Sequence, residues 1–199
     1  MAAMPSAASL PRRSFTRGDY HAMGKAGILT PEDRVELLEG EVIVMSPIGT
    51  RHAACVDRLT RAFYSAGPIA GRALVRVQNP LAVSHRSELQ PDLMLLVQRN
   101  DDYAFEHPEP ADVLLLVEVA DSSLDYDRRT KTPVYARAGV SEVWLVDLAH
   151  DRIEACSEPT PDGYRVTRRH GLGESLSPAA LPDLTLEIDQ VIPPRRPAD

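Results

Sequence analysis

The chain has 199 residues, of which 43% are apolar and 26% are charged. These values are ordinary for one globular domain with a sizeable core, and they argue against a disordered or fibrous protein. The net charge of −7 argues against a protein that coats nucleic acid by bulk attraction, but it is compatible with an enzyme that has a local basic groove.

The longest apolar runs, Val113–Val117 and Leu93–Val97, are far shorter than the roughly 20 residues that span a bilayer, so no membrane segment is predicted. The N-terminus has no apolar core behind a basic start and does not resemble a signal peptide. The cysteines, Cys55 and Cys156, form neither a zinc motif nor a disulfide framework, which favours the reducing cytoplasm. Because the histidines lack metal-ligand spacing, a metal in this protein would need oxygen ligands.

The N-terminal segment is expected to be loose. Residues 1–12 are small, proline-containing and aperiodic, which predicts a flexible arm. A single domain is expected over residues 13–192. It begins with a short helix from Thr16 to about Gly24, with Thr16 as its cap and Asp19 in its first turn.

The next two elements are a hairpin and a helix. Val35–Met45 predicts two strands around Gly40, and residues 46–50 have the composition of a turn that caps the following helix. One face of that helix repeats at helical spacing, with His52, Val56, Leu59 and Phe63. A second face gathers arginines that are candidates for contacts with a nucleic-acid backbone: Arg51, Arg58 and Arg61.

Two apolar runs predict the centre of a sheet. Pro91–Val97 and Val113–Ala120 are apolar on both faces, as in strands that are covered from both sides. Ala73–Val83 predicts a further strand interrupted at Asn79–Pro80, and the polar residues 98–112 predict a loop.

The segment that follows predicts a parallel crossover. Ser122 to about Ala138 has a helical pattern that ends at Gly139, although Pro133 should kink or divide it. Glu142–Asp147 predicts the next buried strand, so the strand–helix–strand unit implies a right-handed parallel connection.

The C-terminal part predicts one more hairpin. Its strands are Arg152–Cys156 and Tyr164–Arg169, around a turn at residues 161–163. The tail of residues 193–199 is rich in proline and arginine, which predicts disorder. Together the elements predict an α/β fold with a hairpin near each end.

Glu118 is the most informative position, because its neighbours in the strand Leu114–Ala120 are all apolar. A carboxylate there loses its hydration unless something compensates for the loss. One interpretation is structural, with Glu118 reaching solvent or pairing with an arginine. The other interpretation is a functional acid.

Asp92 opens the preceding apolar strand and, taken alone, is also typical of a turn. If the two strands are neighbours, however, Asp92 and Glu118 meet at one edge of the sheet. There they would repel each other unless a cation lay between them. Oxygen ligands of this kind suit Mg²⁺ or Mn²⁺.

Lys131 is predicted to bring an amine to the same place. It is one of only two lysines beside 20 arginines, and the pKa of an amine changes more readily than that of a guanidinium. At about 100° per residue, Lys131 belongs to the sector of its helix that faces the sheet, whereas Ala136 faces elsewhere. The other members of that sector are Leu124, Asp127, Val134, Tyr135 and Ala138, and Arg128 lies at its edge. The alternative is a lysine whose stem packs while its amine reaches water, but two carboxylates on the facing sheet favour the functional amine.

His52 and a group of hairpin glutamates are further candidates. His52 lies in the first turn of its helix, where it can bind a phosphate or a metal-bound water. A histidine that is satisfied in the core or at a helix cap has the same pattern. Most of the glutamates are expected to be solvated: Glu36, Glu39 and Glu41.

These segments resemble the Uma-type endonuclease family, a branch of the restriction-endonuclease-like PD-(D/E)xK superfamily. The resemblance runs from about Arg34 to Ile188, and its specificity lies in the order of the segments rather than in any one of them. It is carried by Arg34–Val42, Met45–Pro47, His52, Gln90–Asp92, Val117–Val119, Asp125–Asp127, Lys131, Tyr135–Gly139 and Glu142–Asp147.

The resemblance implies a mixed central sheet flanked by helices, a divalent metal held by Asp92 and Glu118, and cleavage of phosphodiester bonds. In the superfamily pattern the lysine stands two residues after the acid, where this chain has Ala120. The resemblance implies that the amine has moved to Lys131 on the following helix.

The resemblance also bears on two further acids. It implies that Glu36 joins His52 as a secondary candidate for the site. Family members often carry serine where this chain has Asp121. The extra acid could join the metal site or cap the next helix.

The sequence therefore favours a Mg²⁺- or Mn²⁺-dependent endonuclease that hydrolyses nucleic acid, with DNA as the favoured substrate, and that has no membrane partner. A homodimer is expected, because nucleases of this type commonly need two centres for two strands. The alternative is a module that keeps the fold but binds or dimerises without cleaving, which the acidic net charge favours. A serine hydrolase is a poor third, since the chain has no Gly-x-Ser-x-Gly motif.

Overall fold

The computed structural model describes residues 12–30, 32–65, 71–121 and 123–195. Residues 1–11 of the predicted arm lie outside this range. The chain forms two compact units. The first unit contains the chain up to Ser46 together with Ser84–Glu88, and the second contains Pro47–Val83 and the chain from Leu89 onward.

The first unit begins with helix α1 (Arg17–Lys25), as the sequence predicts. Its N-terminus is closed by a reciprocal pair of hydrogen bonds. The backbone N–H of Asp19 donates to the Thr16 hydroxyl (3.1 Å), and the backbone N–H of Thr16 donates to the Asp19 carboxylate (2.9 Å). This capping box satisfies two of the N–H groups that a helix leaves without a partner at its start.

The hairpin of the first unit is also confirmed. Strands β1 (Val35–Leu38) and β2 (Glu41–Val44) pair antiparallel. The two turn residues between them, Glu39 and Gly40, both have positive φ angles of 49° and 87°. Positive φ at both turn residues matches the right-handed twist of the flanking strands. The short strand β5 (Ser87–Leu89) pairs antiparallel with β1.

The second unit is built on a sheet of six strands within the part of the chain that is described. The strands are β3 (Ala73–Val77), β6 (Leu93–Val97), β7 (Val113–Ala120), β8 (Glu142–Asp147), β9 (Arg152–Thr160) and β10 (Gly163–Gly171). Their order in the sheet is β10-β9-β8-β7-β6-β3. Only β7 and β8 pair in parallel there, and the other neighbours are antiparallel. A further strand, β4 (Leu81–Ser84), follows the predicted interruption after β3.

The two faces of β7 have different surroundings because side chains alternate along a strand. Val117 and Val119 belong to the core formed with helix α2 (Thr50–Ser65), whose buried residues include Val56, Leu59 and Phe63. The intervening Glu118 therefore faces the opposite side of the sheet. That side is covered by the crossover helix between β7 and β8, which reaches β9 and β10.

The crossover helix is divided just before Pro133, as predicted. It consists of α3 (Leu124–Tyr126), a π-helical turn (Asp127–Lys131) and α4 (Thr132–Ala138). Proline has no N–H to continue the ordinary ladder, and the N–H of Thr132 instead bonds the carbonyl of Asp127, five residues earlier.

The expected orientation of Ala136 is wrong, because this residue is buried. The π turn adds a residue to one turn and shifts the phase of the helix after it. The helix ends, as expected, at Gly139, which has a φ of 87°.

The C-terminal hairpin of β9 and β10 is longer than predicted. Beyond it, β11 (Ser175–Leu176) pairs with β12 (Leu186–Glu187), and helix α5 (Ile188–Val191) follows; the sequence predicts none of these. In the tail, the carbonyl of Pro193 accepts hydrogen bonds from Arg51, and Arg195 donates to Asp151. Residues 196–199 lie outside the described residues. No described helix is long and apolar enough to cross a membrane.

Two glycines with the same φ of 87° allow backbone strain to be separated from crowding. A Cβ atom at Gly40 would lie 2.7 Å from the Cβ of Ser14, whereas one at Gly139 would meet no atom of the described residues within 4 Å. Gly139→Ala should therefore cost about 1 kcal/mol from the left-handed backbone alone. Gly40→Ala should cost roughly 1–2 kcal/mol more, because close contacts add to the strain. Urea denaturation of both variants measures the difference, and equal losses would contradict it.

Candidate functional site

The pairing of β6 with β7 places the two predicted acids, Asp92 and Glu118, at the same end of the strand pair. Leu93 pairs with Val117 in antiparallel register, so the preceding Asp92 lies across from Glu118 at the end of the strand pair. The backbone N–H of Val119 donates to Asp92 Oδ2 at 2.8 Å. The two strands are neighbours, which is the condition on which the predicted convergence of the acids depended.

The Asp92 carboxylate is held by donors from three elements. Besides Val119, His52 of α2 contacts Oδ2 through Nε2 at 3.0 Å, and the Gln78 side chain donates to Oδ1 at 3.2 Å. The side chains of Asp92 and His52 are 13% and 14% exposed. A carboxylate can accept about four hydrogen bonds, so three donors fix its orientation while leaving some capacity for a ligand.

Glu118 is held from the facing helix. Lys131 Nζ donates to Glu118 Oε1 at 3.2 Å, and the Tyr135 hydroxyl donates to the same oxygen at 2.6 Å. All three residues are buried. The Lys131 amine therefore points at the sheet, as its helix face predicts.

Burial governs the ionisation of Glu118. The loss of hydration raises the pKa of this carboxyl from 4.5 to about 8. Lys131 opposes the rise, Asp127 and Asp92 add to it by like-charge repulsion, and the Tyr135 hydrogen bond opposes it. Burial therefore favours the protonated form of Glu118, and a bound cation would oppose that preference.

Neighbouring carboxylates rather than burial govern the ionisation of His52. Burial disfavours its charged form, but the hydrogen bond and charge of Asp92, with contributions from Asp121 and Asp127, raise the pKa of His52 above its ordinary value. Asp121 lies near the start of α2, since a Cβ at Gly49 would be 3.4 Å from its Oδ2. The additional acid therefore stands beside the site.

The structure thus pairs Asp92 with His52 and Glu118 with Lys131, and it places the two acids on neighbouring strands of the second unit. Glu36 lies on β1 in the first unit and is only 2% exposed, so it is not one of the solvated glutamates. Glu39 and Glu41 are exposed, as expected.

Two of the three α2 arginines that were expected to contact a nucleic-acid backbone instead form hydrogen bonds within the protein. Arg51 donates to the carbonyl of Leu148 and pairs with Asp151, and Arg58 donates to the carbonyl of Ile192. These two side chains are engaged within the protein itself. Arg61 is exposed.

Two residues of the site were missed at the level of sequence. Tyr135 belongs to the predicted inward sector and stands four residues after Lys131, so its position was a usable signal. Gln78 follows β3 with a φ of 50°, and nothing in its local sequence marks it as a partner of Asp92.

The donor set fits a hard divalent cation. Among the described residues, both hydrogen bonds to Glu118 end on Oε1, so Oε2 is available as a ligand atom, and Asp92 lies on the neighbouring strand. A cation between the two carboxylates would relieve both the burial and the repulsion that raise the pKa of Glu118. Oxygen ligands of this type suit Mg²⁺ or Mn²⁺.

Comparisons with known proteins show the family and the fold of the chain. The model of the family Uma2, described as "Putative restriction endonuclease", matches residues 18–189. A solved structure described as a "putative nuclease belonging to DUF820 from Anabaena variabilis ATCC 29413" is similar with a TM-score of 0.68 and 14% identity, covering 89% of this chain and 97% of that chain. This likeness confirms the predicted restriction-endonuclease-like α/β fold. No curated protein matches the chain.

The raised pKa of Glu118 makes a prediction about the metal-free protein. Its folded value of about 8 lies above 4.5, so the stability from this group is present below about pH 4.5 and is lost as the pH rises through about 8. Glu118→Gln cannot ionise, so in EDTA it should unfold with a free energy higher than wild type by a few kcal/mol at pH 8.5, and by much less at pH 5.5. Denaturant titrations at both pH values measure this.

The control is Glu158→Gln, because this glutamate of β9 is half-exposed. It should change little between the two pH values. A Glu118→Gln variant that is no more stable than wild type at pH 8.5 would show that burial of the charged carboxylate carries no such cost.

Proposed function

The chain belongs to the Uma2 family, and from this membership and the site geometry we propose that it is a metal-dependent nuclease that hydrolyses phosphodiester bonds, with DNA as its substrate. The observation that carries the proposal is the buried contact of 3.2 Å between Lys131 Nζ and Glu118 Oε1. It places an amine against a carboxylate, with a second carboxylate on the neighbouring strand. Phosphodiester hydrolysis uses these groups to hold a cation and to handle a proton or developing charge.

Asp92 and Glu118 would hold the metal, because they offer carboxylate oxygens from adjacent strands. Bound there, Mg²⁺ or Mn²⁺ would supply Lewis-acid chemistry and positive charge where negative charge develops on the phosphate. Gln78 and His52 keep the Asp92 carboxylate in one orientation, and Tyr135 does the same for Glu118. Such supporting hydrogen bonds fix the ligands of a metal site before the metal arrives.

Lys131 would act on the reacting groups. An ammonium has three donors, so Lys131 can keep its hydrogen bond to Glu118 while it donates to a phosphate oxygen or orients the attacking water. As an amine it can also give up a proton and accept one from that water, which a guanidinium cannot do.

His52 would contribute a second cationic donor. Its Nε2 contacts Asp92, and its buried Nδ1 has no hydrogen-bond partner among the described residues. An unsatisfied buried donor is unusual in a folded protein. In the proposed complex, Nδ1 would donate to a phosphate oxygen or to a water that bridges to it. Glu36 remains a secondary candidate, which Glu36→Gln tests by activity.

Cleavage should require Mg²⁺ or Mn²⁺ and stop in EDTA. Lys131→Met should lower kcat on the order of 100-fold or more while metal binding is largely kept, because the amine acts on the reaction rather than on the ligands. Lys131→Arg should fail as well. Lys25→Met is the matched control, since Lys25 is the chain's other lysine and is exposed.

The assay incubates labelled single- and double-stranded DNA and RNA with each variant, and calorimetry measures Mg²⁺ binding to wild type and Asp92→Ala. Activity of Lys131→Arg equal to wild type would refute the role given to the amine. A wild type that binds metal but cuts no substrate would identify the protein as a non-cleaving binding module.

We also propose a homodimer, since two antiparallel strands of a duplex are matched by two centres related by a twofold axis. Light scattering at micromolar concentration should give twice the chain mass of 21.9 kDa. A mass that stays at one chain over a hundredfold range of concentration would exclude it.

A further inference from the structure

A row of side chains connects Glu118 with the far strands of the sheet. Glu118 pairs with Leu145 on β8, Leu145 pairs with Glu154 on β9, and Glu154 pairs with Arg169 on β10. Directly paired residues on neighbouring strands point to the same face. Glu154 therefore faces the same side as Glu118, two strands and about 10 Å away.

Glu154 anchors arginines from three elements. It is 2% exposed. Its Oε2 accepts from Arg128 Nε at 3.1 Å, and its Oε1 accepts from Arg169 Nε at 2.9 Å. Arg152 Nη2 lies 3.5 Å from the same Oε1. We call these three residues of the described chain, Arg128, Arg152 and Arg169, the arginine cluster.

A second buried acid strengthens the anchor. Asp147 is fully buried and lies two residues after Leu145, so it faces the same side. Its Oδ2 accepts from Arg152 Nε at 3.0 Å and contacts His150 Nδ1 at 2.9 Å. Among the described residues, two buried carboxylates thus hold three guanidinium groups and an imidazole.

The arginine cluster keeps positive charge and donors for a ligand. The side chains of Arg128, Arg152 and Arg169 are 34%, 28% and 64% exposed. Each guanidinium has five N–H donors, and only some of them are used on the two acids. Arg128 also lies 3.8 Å from the exposed Asp125, so the capacity for a ligand rests mainly on the remaining donors of Arg152 and Arg169.

The position of the arginine cluster relates it to the proposed metal centre. Arg128 stands three residues before Lys131 in the π turn, so one segment of helix reaches Glu154 with one cation and Glu118 with the other. π turns of this kind often occur at functional sites. Two strand spacings separate Glu118 from Glu154 by about 10 Å, so the arginine cluster lies within a few nucleotides' length of the proposed metal centre.

We propose that the arginine cluster binds the phosphate backbone of the nucleic acid within about three nucleotides of the scissile bond. This inference rests on the proposed function for the identity of its ligand. Guanidinium groups recognise phosphate through paired donors, and the buried acids hold them in place before the ligand arrives. The cluster selects a polyanion by charge and spacing rather than by base sequence.

The test measures anisotropy of a fluorescein-labelled 24-base-pair DNA duplex in EDTA, where binding is observed without cleavage. Arg169→Gln should weaken binding about tenfold at low salt and reduce the slope of log K against log salt by about 1, the value of one phosphate contact. Arg165→Gln is the matched control. Arg165 is 74% exposed, lies on β10 four residues earlier and pairs with Glu158 outside the cluster.

Both variants remove one positive charge, so equal binding by Arg169→Gln and Arg165→Gln would overturn the proposal, as would a wild type that binds no duplex. An unchanged thermal midpoint of Arg169→Gln confirms that its fold is intact. Cleavage with Mg²⁺ separates the two hypotheses. If wild type and Arg169→Gln cut with the same KM, the proposed function stands and the arginine cluster is only structural. If Arg169 is needed for binding but wild type cuts nothing, the arginine cluster binds nucleic acid and the proposed nuclease function is wrong.

Discussion

The burial of one carboxylate, Glu118, is the constraint on which the rest of the site depends. A charged side chain at this position of a central strand is stable only with donors directly on it. Lys131 and Tyr135 provide them from the crossover helix, at 3.2 and 2.6 Å. The helix must therefore lie over β7 with this phase. The two donors offset only part of the burial, so the site favours a proton or a cation as the remaining partner.

The crossover helix that carries Lys131 contains a π-helical turn. A continuous α-helix would place successive turns with 3.6 residues each, whereas the π turn of Asp127–Lys131 widens one turn before Pro133. The wide turn also directs Arg128 to Glu154 and Lys131 to Glu118. One segment of helix therefore serves both acids of the same sheet face, because Arg128 and Lys131 are three residues apart and such residues are neighbours on a helix surface.

The sequence predicts the features that depend on local periodicity. The strands β6 and β7, the division of the helix at Pro133 and the inward direction of Lys131 follow from patterns within one element. The prediction that Asp92 meets Glu118 needed one assumption, that the strands are neighbours. Gln78 and the arginine cluster could not be predicted, because their partners are chosen by strand order across the whole sheet. Glu154 alternates with apolar residues as any half-exposed strand residue does.

The location of the amine on the helix is consistent with the surroundings of Ala120. This residue faces the same side as Glu118, is fully buried, and pairs with Asp147. The Asp147 carboxylate already bonds Arg152 and His150. A lysine at position 120 would compete with Arg152 for that carboxylate and would introduce a long side chain where only a methyl group is present. An amine that approaches Glu118 from Lys131 avoids this row of the sheet, so a small residue at position 120 leaves the contact between Asp147 and Arg152 undisturbed.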